Sequence, residues 1–175
     1  MLITIVISSY IMKQRSTILF TIIVMFTAVA NAQNYSDIIN IQTLISAMAN
    51  DRIDGAILTS KGYKRTAYYP MEEGSIYGYT TFYKNCKVRR DGTPVSYSKG
   101  NSSTVQIGSM GVGAFINLTV YSSGAYNYIY KKLVSAGYRL YRGGNYYDYS
   151  LRKGHIAIDV SRSNRGGSFI IESTY

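Results

Sequence analysis

The stretch Leu133-Val134-Ser135-Ala136-Gly137-Tyr138-Arg139 repeats an earlier one, Leu58-Thr59-Ser60-Lys61-Gly62-Tyr63-Lys64, with Leu, Ser, Gly, Tyr and a basic residue at the same spacing. In each copy the glycine follows an apolar-periodic segment, at the position where many helices end in a left-handed residue. The tyrosine that follows is a residue type favoured in β-strands. The sequence therefore predicts one helix-to-strand corner that is used twice.

Amphipathic helices are predicted ahead of both corners. Before the first corner, residues 34–37 offer capping side chains, and a polar break at 50–55 separates one helix from a short second one. Before the second corner, Ser122-Ser123 is the predicted cap, and Lys131 and Lys132 lie near the C-terminal end, where the helix dipole favours positive charge. The apolar positions are Ile38, Ile39, Ile41, Leu44, Ile45 and Met48 in the first long helix and Ala125, Tyr128, Ile129, Leu133 and Val134 in the last one.

Segments with the composition and period of β-strands follow each corner. Asp91-Gly92 is the strongest turn signal among them. In 114–121 the side chains alternate, with Ile116, Leu118 and Val120 on one face and polar or aromatic residues on the other. The predicted strands are 63–69, 75–83 (prolonged by Cys86 and Val88), 95–97, 103–109 and 114–121, then 138–141, 146–151, 155–160 and 168–173.

This order of elements predicts an α+β fold of two tandem helix-plus-antiparallel-strand repeats, residues 33–121 and 122–175. One small repeat cannot bury a sheet face alone, but two side by side can form one sheet with the helices on one face. The opposite face, or its loops, would remain open to a partner.

The arrangement, with its two Leu-x-Ser-x-Gly-Tyr-Lys/Arg corners, resembles that of the β-lactamase inhibitory proteins. These are secreted tandem α/β repeats that bind other proteins. The resemblance covers most of the chain after residue 32 at the level of topology, and it implies a binding protein. None of that family's inhibitory contacts is recognisable in this sequence, so the resemblance implies no individual binding residue.

Residues 1–32 have the pattern of a cleaved signal peptide. Lys13 and Arg15 form a short basic region, residues 18–30 are almost wholly apolar, and Ala30-Asn31-Ala32 gives the small-x-small pattern before a cut at Gln33. Residues 1–11 look like an extension upstream of a natural start at Met12. We expect an exported protein, periplasmic or extracellular; the alternative is an uncleaved N-terminal anchor.

Removal of residues 1–32 would leave 17 basic and nine acidic residues, a net charge of +8. The single cysteine, Cys86, excludes an internal disulfide framework, and we expect it to be a small buried apolar residue. With one histidine, one cysteine and scattered carboxylates, we expect no metal site and no cofactor.

One pattern indicates an enzyme instead. Gly154-His155-Ile156-Ala157-Ile158-Asp159-Val160, followed by Gly167-Ser168-Phe169-Ile170-Ile171-Glu172, resembles the histidine half of the peptidoglycan-cleaving Cys/His peptidases of the CHAP and NlpC/P60 type. The resemblance implies Cys86 as nucleophile, His155 as base and Glu172 as its orienting group. In those families the cysteine begins a helix, which lowers its pKa, whereas the segment around Cys86 is strand-like or loop-like. Its basic neighbours Lys84, Lys87 and Arg89 would also favour a thiolate.

Tyrosine is the most distinctive part of the composition. Of the 19 tyrosines, 18 follow residue 32, and basic residues are interleaved with them. Tyrosine joins a rigid apolar ring to a polar tip, which suits a binding surface, although many tyrosines serve only as strand formers. The residues predicted to bind a partner are Tyr141, Arg142, Tyr146, Tyr147, Tyr149 and Arg152.

The sequence thus predicts a non-enzymatic binding protein, with the peptidase as the alternative. Positive charge attracts an acidic protein or an anionic polymer of the cell envelope. Basic and aromatic residues also suit single-stranded nucleic acid, but an exported protein would meet little of it, so we expect no nucleic acid and no stable membrane span after signal removal.

Overall fold

The computed structural model describes residues 35–50, 55–72, 77–97, 100–110, 113–141, 150–153 and 155–173. A 3-10 turn, Tyr35–Asp37, precedes the first helix. The helices are α1 (Ile41–Ala49), α2 (Ala56–Ser60) and α3 (Ser123–Ser135). The strands are β1 (Lys64–Pro70), β2 (Gly78–Lys84), β3 (Lys87–Val88), β4 (Pro94–Ser96), β5 (Ser103–Met110), β6 (Gly113–Val120), β7 (Arg139–Tyr141), β8 (Ser150–Lys153), β9 (Ile156–Ser163) and β10 (Gly166–Ser173).

Side-chain caps fix the beginnings of the two longer helices. The Asn40 side chain accepts a hydrogen bond of 3.2 Å from the amide of Gln42, so α1 begins at Ile41. The apolar spacing predicts an earlier start, at Ile38. The predicted cap of α3 is confirmed, because Ser122 Oγ accepts from the amide of Ala125 at 3.1 Å.

The buried face of α3 differs from the predicted one. Tyr126 is 5% exposed, whereas Val134 is 40% exposed. The ring of Tyr126 stacks on that of Phe169 in β10, with 5.0 Å between the centroids. This contact turns the helix so that Tyr126 joins Ala125, Ile129 and Leu133 in the core.

Eight strands form one sheet in the order β1-β2-β5-β6-β10-β9-β8-β7, and neighbouring strands are antiparallel. Two four-stranded meanders meet in the middle, where Asn117 of β6 pairs with Ile170 of β10. The fold is therefore α+β, as predicted. Strands β3 and β4 form a separate two-stranded hairpin.

Helices α1 and α3 both pack against β6 and β10. The predicted alternation in β6 is confirmed, since Ile116, Leu118 and Val120 are buried in the cluster that contains the helix residues. The opposite side of the sheet, which we call the open face, carries mainly polar side chains. Its central polar residues are Thr104, Gln106, Asn117, Thr119, Asp159, Ser161, Ser168 and Glu172, and the same side also carries the buried apolar residues Phe115, Ala157 and Ile170.

Both predicted helix-to-strand corners are present and have the same hydrogen bonds. The amide of Tyr63 donates to the carbonyl oxygen of Leu58 at 3.1 Å, and the amide of Tyr138 donates to that of Leu133 at 3.1 Å. The glycine before each tyrosine has a positive φ, +81° and +93°. The two leucines and the two tyrosines are buried.

Within the described residues, no helix is both long enough and apolar enough to span a membrane. The predicted signal peptide, residues 1–32, lies outside the described residues.

Candidate binding surface

The β3–β4 hairpin lies over the open face beside β2. Gly92, in the turn of the hairpin, packs so closely on Thr81 that an added Cβ would overlap Thr81 Oγ1. Thr81 is fully buried, and the hydroxyl of Tyr79 donates to the carbonyl oxygen of Asp91 at 3.1 Å. The amide of Thr93 donates to Asp91 Oδ1 at 2.9 Å, which fixes the turn and lowers the pKa of that carboxyl. The hairpin is thus held against one half of the face.

A polar and aromatic pocket of about 340 Å³ adjoins the hairpin near the middle of the open face. We call it the face pocket. The rings of Tyr97 and Tyr121 stack at one side of it, with centroids 4.5 Å apart and an interplanar angle of 24°. Its lining includes Tyr97, Asn117, Thr119, Tyr121, Arg165 and Ser168.

The hydroxyl of Tyr121 is paired with that of Thr104 at 2.9 Å. Burial raises the pKa of Tyr121 to about 12, so this phenol is neutral at physiological pH. The stacked partner, Tyr97, is 37% exposed. The pair therefore gives the pocket one fixed ring and one ring that a partner can contact.

Asn117 forms part of the floor. Its Nδ2 donates to Gln106 Oε1 at 3.3 Å, while its Oδ1 is buried and accepts no hydrogen bond from the described residues. A buried acceptor without a donor lowers stability by about 1–3 kcal/mol. A partner that supplied an O–H or N–H donor to Asn117 would recover that free energy.

Two carboxyl groups lie further across the face, on β9 and β10. Burial raises the pKa of Asp159, and the positive charge of Arg152 partly opposes this shift. Burial also raises the pKa of Glu172, with repulsion from Asp159 as a second cause. The open face therefore combines an acidic patch with the arginine of the face pocket, and a partner would have to match both charges.

The predicted tyrosine and arginine cluster falls largely outside the described residues, which include neither Arg142 nor Tyr146, Tyr147 and Tyr149. Tyr141 lies in β7 and pairs with Ser150. Arg152 is exposed in β8. The cluster stays a prediction.

Cys86 is half-buried beside β5. Its Sγ donates a weak hydrogen bond to the carbonyl oxygen of Ser103 at 3.6 Å and burial raises the pKa of its thiol. It does not prolong β2, because Asn85 has φ +57° and turns the chain out of the strand before β3 begins.

The peptidase hypothesis needs this thiol next to His155, and the strand register separates them. Ser103 pairs with Val120, Val120 with Gly167, and Gly167 with Arg162, so these residues form one row across the sheet. His155 lies seven residues before Arg162, beyond the other end of β9. At about 3.3 Å per residue, the imidazole is on the order of 20 Å from that row. The implied Cys86–His155–Glu172 triad is therefore not assembled, although Glu172, opposite Ala157, is near the histidine end.

No group of three or more histidine, cysteine or carboxylate side chains that could hold a metal ion is found in the described part of the chain. The thiol and the imidazole, which are far apart, do not contribute to one site.

The face pocket was not identified from the sequence. Alternation in β6 placed Asn117, Thr119 and Tyr121 on one face, and that signal was correct. The pocket also needs Tyr97, which comes from the hairpin that folds back over the sheet. Neither the composition nor the periodicity of the hairpin segment indicates that it folds back over the sheet.

No protein-family model matches the chain, and neither a curated protein nor a solved structure matches it.

Proposed function

We propose that this chain is an exported, non-enzymatic binding protein that holds its partner on the open face of the sheet. The partner class is a protein or an anionic polymer of the cell envelope. The observation that carries the proposal is the face pocket, which lies on the side of the sheet that α1 and α3 leave uncovered.

The chemistry of the pocket suits recognition of a partner. Tyrosine and arginine are enriched at binding surfaces because they supply large contact areas and hydrogen bonds at a small loss of conformational entropy. Here Tyr97 is held by a ring stack, and the pocket floor consists of strand residues whose backbone is fixed by the sheet. Little free energy would be spent on ordering the site when the partner binds.

The two halves of the fold are proposed to be tandem repeats, and this supports the same function. The two meanders, each preceded by an equivalent corner, are the arrangement expected of duplicated helix-plus-strand units. Such a pair covers one sheet face with helices and leaves the other for binding.

The geometry does not favour the peptidase. A Cys/His mechanism needs thiol and imidazole within hydrogen-bond reach, or close enough to reach it on closure. A separation on the order of 20 Å along the sheet is far beyond either. Export remains part of the proposal on the strength of the pattern in residues 1–32.

Site-specific photo-crosslinking tests the proposal. A benzophenone amino acid is placed at Ser168, in the face pocket, or at Ser46, which is exposed on α1, and each variant is irradiated with an envelope fraction of the source cells. We expect a discrete crosslinked product from position 168 and none from position 46. Thr119→Arg should reduce the product from position 168. A product from position 46 alone would show that the helical side binds the partner.

A further inference from the structure

A second pocket, of about 480 Å³, lies on the other side of the β3–β4 hairpin, against the first corner. We call it the lysine pocket. Strands β1 and β2 provide Lys64 and Lys84, which frame the end of the sheet, and the hairpin provides Lys87 and Ser96 opposite them. Asn85 joins the two sides.

The charged side chains that line this pocket are all positive. Three of its eight lining residues are lysines and none is a carboxylate. Lys84 is fixed in place, since its Nζ donates to the carbonyl oxygens of Lys61 at 2.9 Å and Asp37 at 3.1 Å. The Asp37 carboxylate is 3.6 Å from the same Nζ. Lys64 and Lys87 are exposed and carry the charge that a ligand would meet.

The side chain of Asn85 is a second feature that suggests a ligand in this pocket. Its backbone has φ +57°, a conformation that asparagine adopts more readily than other residues with a Cβ. Its carbonyl oxygen accepts from Ser102 Oγ at 2.6 Å. Its Nδ2 is buried yet donates no hydrogen bond to the described residues. Asn85, which lines the pocket, thus keeps a side-chain donor that no described residue uses.

We propose that the lysine pocket binds an oxyanion of the phosphate or sulfate type. The ammonium groups of Lys64 and Lys87 supply charge-assisted hydrogen bonds, the Asn85 amide supplies a neutral donor, and the Ser96 hydroxyl completes the shell. The inference rests on the proposed function, because an anionic group on a partner would dock here beside the open face. Inorganic phosphate and a sulfated polymer share this chemistry.

The test is a titration of the full chain with sodium phosphate, at an ionic strength held constant with sodium chloride, in which the amide NMR shifts are followed. We expect shifts that saturate and are concentrated at residues 62–64, 84–87 and 96. In Lys64→Gln/Lys87→Gln the Kd should rise about tenfold or more. Lys131→Gln/Lys132→Gln removes the same charge from exposed positions on α3 and should leave the Kd within about twofold.

Asn85→Gly separates binding from folding. Glycine accepts a positive φ without strain, so the fold should be retained while the amide donor is lost. A Kd raised severalfold with an unchanged Tm supports the inference. The inference would be overturned by amide shifts near all lysines, or by an equal loss of affinity in Lys131→Gln/Lys132→Gln. Either result would indicate only general electrostatic attraction.

A second arm distinguishes the sources of the anion and isolates the proposed function. Binding of dextran sulfate is compared with binding of uncharged dextran. If dextran sulfate binds and its binding depends on Lys64 and Lys87, the pocket binds an anionic group carried by a polymer. If only phosphate binds, the pocket binds a free anion. Phosphate binding with crosslinks only from position 46 would sustain the lysine pocket and reject the open face. Crosslinks from position 168 without saturable anion binding would support the open face and reject the lysine pocket.

Discussion

Lys153 Nζ donates a hydrogen bond of 2.7 Å to the carbonyl oxygen of Ala136, just beyond the end of α3. Lys84 makes the equivalent contact to Lys61 in the first corner, at 2.9 Å. Each ammonium also lies near the ring of the corner tyrosine, 6.0 Å from the centroid in Tyr138 and 5.8 Å in the other copy. A helix end leaves carbonyl groups without intrahelical donors, and a cation there is favoured by the helix dipole. A lysine is therefore part of both corners, although it is distant from each in sequence.

Lys153→Met should lower the free energy of unfolding by about 1 kcal/mol, because the carbonyl oxygen loses a charged donor while the aliphatic stem is kept. Urea denaturation measures the change. Lys131→Met, at an exposed position of α3, is the matched control and should alter stability by less than about 0.5 kcal/mol. Equal effects of the two substitutions would contradict a specific role for the contact to Ala136.

The packing of the hairpin on the open face can be measured by comparing two glycines with the same φ, +81°. Gly62→Ala should cost about 1–2 kcal/mol for the left-handed backbone alone, since the nearest atom to an added Cβ is Lys84 Cε at 3.9 Å. Gly92→Ala should cost a further 1–3 kcal/mol or so, because the Cβ overlaps Thr81. Thr81→Ala in the Gly92→Ala background should recover part of this loss. Similar costs for both glycines would show that the hairpin does not press on the sheet.

Local sequence signals predict much of this fold. The corner motif fixes where helices end, and period-2 alternation fixes which side of β6 enters the core. The predicted element boundaries are wrong where a single side chain or a contact with a distant residue determines the local structure. Asn40 caps α1 later than the apolar spacing predicts, and Asn85, with its positive φ, turns the chain out of β2 and so separates β3 from the sheet.

The face pocket and the lysine pocket depend on this separation of the hairpin from the sheet. Tyr97 stacks on Tyr121, and Lys87 and Lys64 line one pocket, only because the hairpin returns over the sheet. The members of each pair are 23–24 positions apart in sequence, and no local pattern predicts that they come together. The tyrosine cluster at 141–149 is visible in composition for the opposite reason, since its members are neighbours in the chain.

Stability should increase as pH falls from 7 towards 5. The pKa values of Asp159 and Glu172 are raised by burial, so the folded protein binds protons more tightly than the unfolded chain in this range. Ionisation of these carboxyls near pH 7 therefore destabilises the fold. Asp159→Asn/Glu172→Gln should raise the Tm at pH 7 and flatten its dependence between pH 5 and 7, an effect below about 1 kcal/mol because both groups keep solvent contact. Thermal unfolding followed by circular dichroism at both pH values measures this. If the Tm of the wild-type protein decreased as the pH was lowered from 7 to 5, while the Tm of the variant stayed constant, the sign of the effect would be reversed and the argument refuted.

Cys86 should react slowly with alkylating reagents in the folded protein. Burial raises the pKa of the thiol, which leaves little of the reactive thiolate at pH 7, and the sulfur is partly shielded beside Ser103. We expect iodoacetamide labelling, followed by mass spectrometry, to be at least about tenfold slower than in concentrated urea and to accelerate as pH rises. Cys86→Ala should leave the crosslinking yield from position 168 unchanged, since the thiol lies outside the face pocket. Rapid labelling at pH 7, together with loss of function in Cys86→Ala, would instead indicate an activated nucleophile and return the Cys/His peptidase to consideration despite its separated histidine.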